Sequence, residues 1–216
     1  MSKLWEPGDR IEHWLVLERF LGGWGVVYAL RDLRNTEGSV RPAVVAGKTI
    51  RPEWASERSR VEQFEMEAYG WLPLGVYKHI VRLYTVERLH GHAVAIGEYV
   101  PAGALPNTLR GWIDAGILGF ESALRFGVHI CRALEHARSR GLLAHLDLKP
   151  ENIMITQNGV AKVTDWGLSR LRPLDSAGIP SLANLPFNPP KRRWGIGREH
   201  LRHAGLCRAG THQPWS

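Results

Sequence analysis

Eight residues constrain this chain more than any other feature. His145-Leu-Asp-Leu-Lys-Pro-Glu-Asn152 puts a carboxylate, a cation and an amide at spacings of two and three in one polar stretch. Polar residues around a proline read as a loop, and this loop carries a base, a cation and an amide oxygen together. Thirteen residues after Asn152 comes Asp165. Between them lie two short apolar runs, Ile153–Thr156 and Val160–Thr164, joined through Asn158-Gly159, which is a hairpin signal. A hairpin of this kind brings Asn152 and Asp165 side by side. Two oxygens so placed suit Mg²⁺, which takes few protein oxygens and completes its shell with water and phosphate.

The upstream pattern is mostly β. Residues 14–30 surround a glycine cluster with aromatic and β-branched residues, which predicts strand, turn, strand. Residues 31–42 are polar with Gly38 and Pro42, and 43–50 predict a third strand. Val61, Phe64, Ala68 and Trp71 fall near helical spacing, which predicts a helix over 54–72 closed by Pro73. Two further strands fit Ile80–Val86 and Ala93–Val100. A longer amphipathic helix follows, with Ala123, Phe126, Gly127, Ile130, Cys131, Leu134 and Ala137 on one face and Gly141 at its C-terminal cap. The expected class is α+β: five strands around one helix, then a helix and a small hairpin. Past about residue 172 the periodicity is lost.

Composition excludes several classes. No run of eighteen apolar residues occurs, so no membrane span is expected. The first ten residues lack an apolar signal region, and Cys131 and Cys207 have no paired spacing, so neither secretion, a disulfide framework nor a zinc site is expected. The expected compartment is the cytoplasm. The net charge of +7 invites a nucleic-acid partner, but residues 191–216 hold five of those charges and the body is nearly balanced, which argues against one.

Taken with that loop, the chain resembles the protein kinase family, Ser/Thr type. The loop is similar to the family's catalytic loop, its Lys149-Pro-Glu-Asn portion resembles Ser/Thr kinases, and Asp165-Trp-Gly resembles Asp-Phe-Gly. Gly22-Gly23-Trp24-Gly25 looks like the glycine-rich phosphate loop, Val45-Ala-Gly-Lys48 like the third-strand lysine motif, and Gly97-Glu-Tyr-Val100 like the hinge. Glu67 matches the helix glutamate that pairs with the lysine. Alone, each of these upstream features has a plainer reading: a turn, a solvent-facing strand lysine, a solvated helix residue.

The resemblance implies a protein-kinase-like fold with an N-lobe of five antiparallel strands and one helix, and a partial, mainly helical C-lobe. It implies a lobe and hinge over 1–100, the catalytic loop, metal-binding loop and activation segment over 101–190, and an unassigned basic tail over 191–216. Implied cofactors are ATP and Mg²⁺, and the implied partner is a protein bearing a Ser or Thr hydroxyl; the oligomeric state is left open. Asp147 would orient the substrate hydroxyl and Lys149 would offset charge on the transferring group. Gly22, Gly23 and Gly25 would cover the phosphates. Lys48, held by Glu67, would touch them, while Asn152 and Asp165 would hold the metal. The adenine would lie between Val27 and Ala46 above and Met154 below, beside the hinge residues Glu98 and Val100, with Gly97 leaving the pocket behind it open.

Four departures qualify this. Phe20 stands where the first loop glycine is expected, Leu146 replaces the arginine before Asp147, and Trp166 replaces phenylalanine. Ala183–Lys191 looks like a degraded end of the activation segment, with Lys191 reversing the charge of the usual acid. The tail reads as a basic arm for a nucleic acid or an acidic partner, as a solvated extension, or as out-of-frame translation. Two other functions stay open: a catalytically weak nucleotide-binding pseudokinase fragment, and a small-molecule phosphotransferase of the aminoglycoside type, where Asp-Trp pairs are common.

Overall fold

Side-chain alternation builds the first sheet. The strands β1 (Arg10–Ile11), β2 (Trp14–Leu21), β3 (Gly25–Asp32), β4 (Val44–Ile50), β5 (Leu83–Leu89) and β6 (His92–Glu98) pair antiparallel in the order β1-β2-β3-β4-β6-β5. This computed structural model describes residues 4–22, 25–35, 42–166 and 170–171, with Leu143, Arg170 and Leu171 as backbone alone. Gly23, Trp24, the segment Ala183–Lys191 and the basic tail lie outside the described residues. The five expected strands are present. A sixth, β1, arises because the chain turns at Glu12, which adopts φ 54°, and pairs Ile11 with Trp14.

The sheet has two working faces. In β4, Val45, Gly47 and Thr49 are buried on one side, while Ala46 and Lys48 are half-buried on the other. Val27 and Ala29 of β3 are the register partners of Lys48 and Ala46, so all four share one face. The opposite face packs Trp14, Val16, Val26, Tyr28, Leu30 and Ile96 into a core covered by Trp5 from the N-terminal segment.

The helix α1 (Arg58–Trp71) starts later than expected because Pro52–Trp54 forms a separate 3₁₀ turn. Proline fixes φ at such a first position. Phe64, Ala68 and Trp71 form its buried stripe. β5 also starts late. Ile80 and Val81 are taken by another partner: Val81 N–H donates to Val163 O at 2.9 Å, and Val163 N–H donates to His79 O at 2.9 Å.

The C-terminal part begins with α2 (Leu109–Asp114), capped by Thr108, whose Oγ1 accepts the Gly111 N–H at 3.0 Å. α3 (Phe120–Ser139) ends two residues before Gly141, which takes φ 90° as a left-handed helix stop requires. β7 (Leu142–Ala144) pairs with β10 (Arg170–Leu171), and β8 (Ile153–Ile155) pairs with β9 (Ala161–Val163). The buried face of α3 differs from expectation. Phe126, Ala133 and Ala137 are buried, Ile130 and Leu134 partly so, and Ala123 and Cys131 are exposed. The helix is apolar on two sides. The side toward β7 and β9 is packed, while Leu124 and Val128 remain exposed, as do Leu146 and Leu148 of the following loop.

Candidate active site

The loop 145–152 folds around its own charges. Lys149 Nζ lies 2.7 Å from Asp147 Oδ2. Asn152 Nδ2 donates to the Asp147 carbonyl at 2.9 Å and to Oδ2 at 3.1 Å. Burial opposes the charge on Asp147, but the Lys149 hydrogen bond and charge, aided by Asn152, outweigh it and hold the carboxyl below its ordinary range. The same bond raises the Lys149 ammonium above its usual value. Thr164 N–H donates to Asn152 O at 2.9 Å, which sets the residue before Asp165 against the loop. The hairpin reading of Asn152 and Asp165 as neighbours therefore holds. With both Asn152 donor hydrogens committed to Asp147, its amide oxygen is the group left for a cation. Asp165 supplies a carboxylate, so this pair fits an ion that takes few protein oxygens.

His145 locks the loop from behind. Its Nε2 faces the Thr164 carbonyl at 2.9 Å, so that nitrogen carries the proton, while buried Nδ1 has no partner among the described residues. Trp166, 1% exposed, packs tilted against the His145 ring, with centroids 4.6 Å apart, and donates from Nε1 to Val163 O at 3.2 Å. The tryptophan that stands where the resemblance expects phenylalanine is therefore a buried ring. Two non-glycine residues here, Leu146 and Asp165, both hold φ 62°.

Lys48 departs from the expected pairing. Its Nζ sits on Asp165 Oδ1, not on Glu67. Glu67 instead accepts Gln63 Nε2–H at 2.9 Å, one turn back along α1, so its carboxylate lies along its own helix. Partial burial pushes the Glu67 carboxyl up, although the Gln63 bond and the Lys48 charge pull the other way.

The remaining expected residues lie on several elements. Val27 and Ala46 stand on the Lys48 face of the sheet. Met154 lies on β8 opposite Lys162. Val100 is buried, and its carbonyl accepts Asn107 Nδ2–H at 2.8 Å. Gly22 N–H donates to Gly25 O at 2.9 Å, closing the β2–β3 turn. Gly25 must be glycine for a reason the sequence did not suggest: a Cβ would meet Thr49 O of β4 at 2.6 Å. Gly97 has a packing reason too, since a Cβ there would meet Arg82 O at 2.8 Å. Phe20 continues β2 as the partner of Val27, with its side chain exposed.

Sequence reasoning missed Lys162. Its Nζ lies 2.6 Å from Glu98 Oε1 and 2.8 Å from Oε2. The signal was a charged residue between Ala161 and Val163, two inward positions of a short strand.

Comparison with known proteins points to one family. The protein kinase domain family matches residues 21–181. A probable serine/threonine-protein kinase of Streptomyces coelicolor is 34% identical over 164 residues, covering 76% of this chain and 23% of that protein. One from Clostridium perfringens is 31% identical over 158 residues, covering 73% and 21%. The CBL-interacting protein kinase 9 of rice is 29% identical over 152 residues, covering 70% and 31%. The PknI kinase domain of Mycobacterium tuberculosis superposes with a TM-score of 0.59 at 21% identity, covering 76% of this chain and 62% of that one, a likeness of fold. This chain belongs to the protein kinase family. It spans roughly a fifth to a third of the length of these curated relatives. Among the described residues no helix is long and apolar enough to cross a membrane.

Proposed function

We propose that this chain carries the nucleotide and catalytic site of a kinase that transfers the γ-phosphoryl group of Mg·ATP to a serine or threonine hydroxyl of a protein. One observation carries the reading. Asp147, Lys149 and Asn152 form a single hydrogen-bonded cluster, joined to the strand that delivers Asp165 by the Thr164–Asn152 bond. On this reading residues 1–100 hold the nucleotide and 101–190 the catalytic and metal-binding loops.

Asp147 accepts a hydrogen bond from the substrate hydroxyl and aims its oxygen at the γ-phosphorus. The new O–P bond forms as the β–γ bridging O–P bond breaks, the hydroxyl proton passes to Asp147, and ADP leaves. A carboxyl held at low pKa is a weak base, so its main contribution is orientation. Lys149, already beside Asp147, faces the charge that builds on the transferring group. Asp165 and Asn152 would hold Mg²⁺, which supplies charge neutralisation at the phosphates. Lys48 is positioned to exchange its Asp165 contact for phosphate oxygens. The test is phosphate transfer to a generic protein substrate and, in parallel, to small alcohols. Transfer to protein that Asp147→Ala abolishes supports the proposal; transfer confined to small alcohols overturns it.

A second reading is favoured by one contact. With Lys48 on Asp165 and Glu67 on Gln63, the cation is held away from its helix partner. A nucleotide-binding module with little turnover fits that arrangement. Stabilisation by Mg·ATP without Asp147-dependent transfer would select it.

A further inference from the structure

Glu98 ends β6 and begins the connection to the C-terminal part, and its carboxylate is unusually well held. Both oxygens contact Lys162 Nζ, at 2.6 and 2.8 Å. Oε2 also accepts the Arg82 N–H at 3.1 Å, while Glu98 N–H donates to Arg82 O at 2.7 Å. The pair is largely enclosed, with the Lys162 side chain 16% exposed and that of Glu98 24% exposed. Neither charge is at a free rim, where such pairs contribute little.

Lys162 reaches Glu98 because of strand alternation. Ala161 and Val163 point into the core at 1% and 0% exposure, so Lys162 must point the other way. Its register partner Met154 stands on that same face. Lys162 is three residues before Asp165, which lies just past the end of β9. One side chain therefore connects Glu98 to the strand that leads into Asp165. The hinge has a second anchor at Asn107, whose Nδ2 donates to Val100 O and whose carbonyl accepts the Ile155 N–H of β8 at 2.8 Å, but this anchor carries no charge and reaches β9 only through β8.

We propose that Lys162 is a positioning residue, which fixes the distance between the Glu98–Val100 edge and the Asp165 turn and so sets the affinity for Mg·ATP. The inference rests on the nucleotide reading of this site. Lys162 touches no phosphate and takes no part in bond making. It acts through Glu98.

The experiment pairs hydrogen exchange of the free protein with calorimetric titration of Mg·ATP. Lys162→Met keeps the apolar stem and removes the charge. It should raise exchange of the amides at 96–100 by about tenfold, since the tie between β6 and β9 is lost. It should weaken Mg·ATP binding by about five- to tenfold, raising KM while leaving kcat within about twofold. Lys162→Arg should restore both quantities. The double variant Lys162→Met with Glu98→Gln leaves no charge unpaired; it folds without that penalty and should match the single variant. Unchanged exchange at 96–100 in both the single and the double variant overturns the proposal, as does loss of affinity that arginine fails to restore. Raised exchange in a protein whose wild type binds no Mg·ATP leaves the tie in place and removes the nucleotide reading instead.

Discussion

The Lys48 ammonium is paired with Asp165 across the site, while Glu67 turns away to Gln63. Two carboxylates thus stand near one cation, and one of them holds it. Glu67→Gln should therefore cost less than about 0.5 kcal/mol of stability, because the lost charge was partly buried and unpaired by any cation. If turnover requires Lys48 to move to Glu67, the same variant should lower it by about tenfold or more. Urea titration and a transfer assay on one preparation check both; a large stability loss would mean that Glu67 already holds Lys48.

Nucleotide binding has its own readout. At a hundredfold excess over Kd, Mg·ATP should stabilise the protein by about 2.7 kcal/mol. Thermal unfolding should show that shift in the wild type and lose it in Lys48→Ala. No shift in the wild type would remove nucleotide binding from this site.

Three histidines make stability depend on pH. His79 and His129 stack at 4.2 Å and grip one residue: His79 Nδ1 faces Ala161 O at 3.2 Å, and His129 Nδ1 accepts the Ala161 N–H at 3.2 Å. Desolvation pushes both rings below the usual imidazole pKa, reinforced by Lys78 and Arg132, with Lys162 facing His79 and Arg125 facing His129. His145 is lowered by burial as well. The folded rings thus refuse a proton that the unfolded chain accepts at about pH 6.5. Stability is complete above that value and falls as pH drops toward the folded-state values, by at most about 1.4 kcal/mol per pH unit for each ring. Melting temperatures from pH 7.5 to 5 should decline, and His129→Gln should flatten the slope. A flat profile would show that the rings titrate normally.

Leu146 holds φ 62° with its side chain 57% exposed. The left-handed region costs a leucine roughly 1–2 kcal/mol, and an exposed side chain repays little of it. Leu146→Asn should raise stability by about 1 kcal/mol, since asparagine tolerates this conformation. Chemical unfolding of the two proteins measures it; a loss would mean that the leucine packs against something in solution.

The chemistry of the loop was legible because it is local. Asp147, Lys149 and Asn152 lie within six residues, and the turn at Asn158-Gly159 brings Asp165 back to them. The Lys48 partner was not legible, because it depends on how α1 is rotated against the sheet. The period of α3 allowed two apolar stripes, and nothing local decides whether Phe126 and Ala133 or Ala123 and Cys131 turn inward. Ile80 and Val81 read as strand, but Val163, far along the chain, claims them. Gly25 and Gly97 were read for the ligand, whereas close backbone approach already demands them.

The register of β8 and β9 also limits how chains of this kind can change length. Ile153 faces Val163, Met154 faces Lys162 and Ile155 faces Ala161. One residue inserted within either strand would swing the ammonium into the core, expose a valine or an alanine, and part Asn152 from Asp165. Deletions of one residue would do the same. Growth or shrinkage can be absorbed at the turn 157–159, where Gln157 and Asn158 are exposed. Gene variants that alter length elsewhere in this hairpin should be recovered rarely, and those that alter the turn should be recovered often.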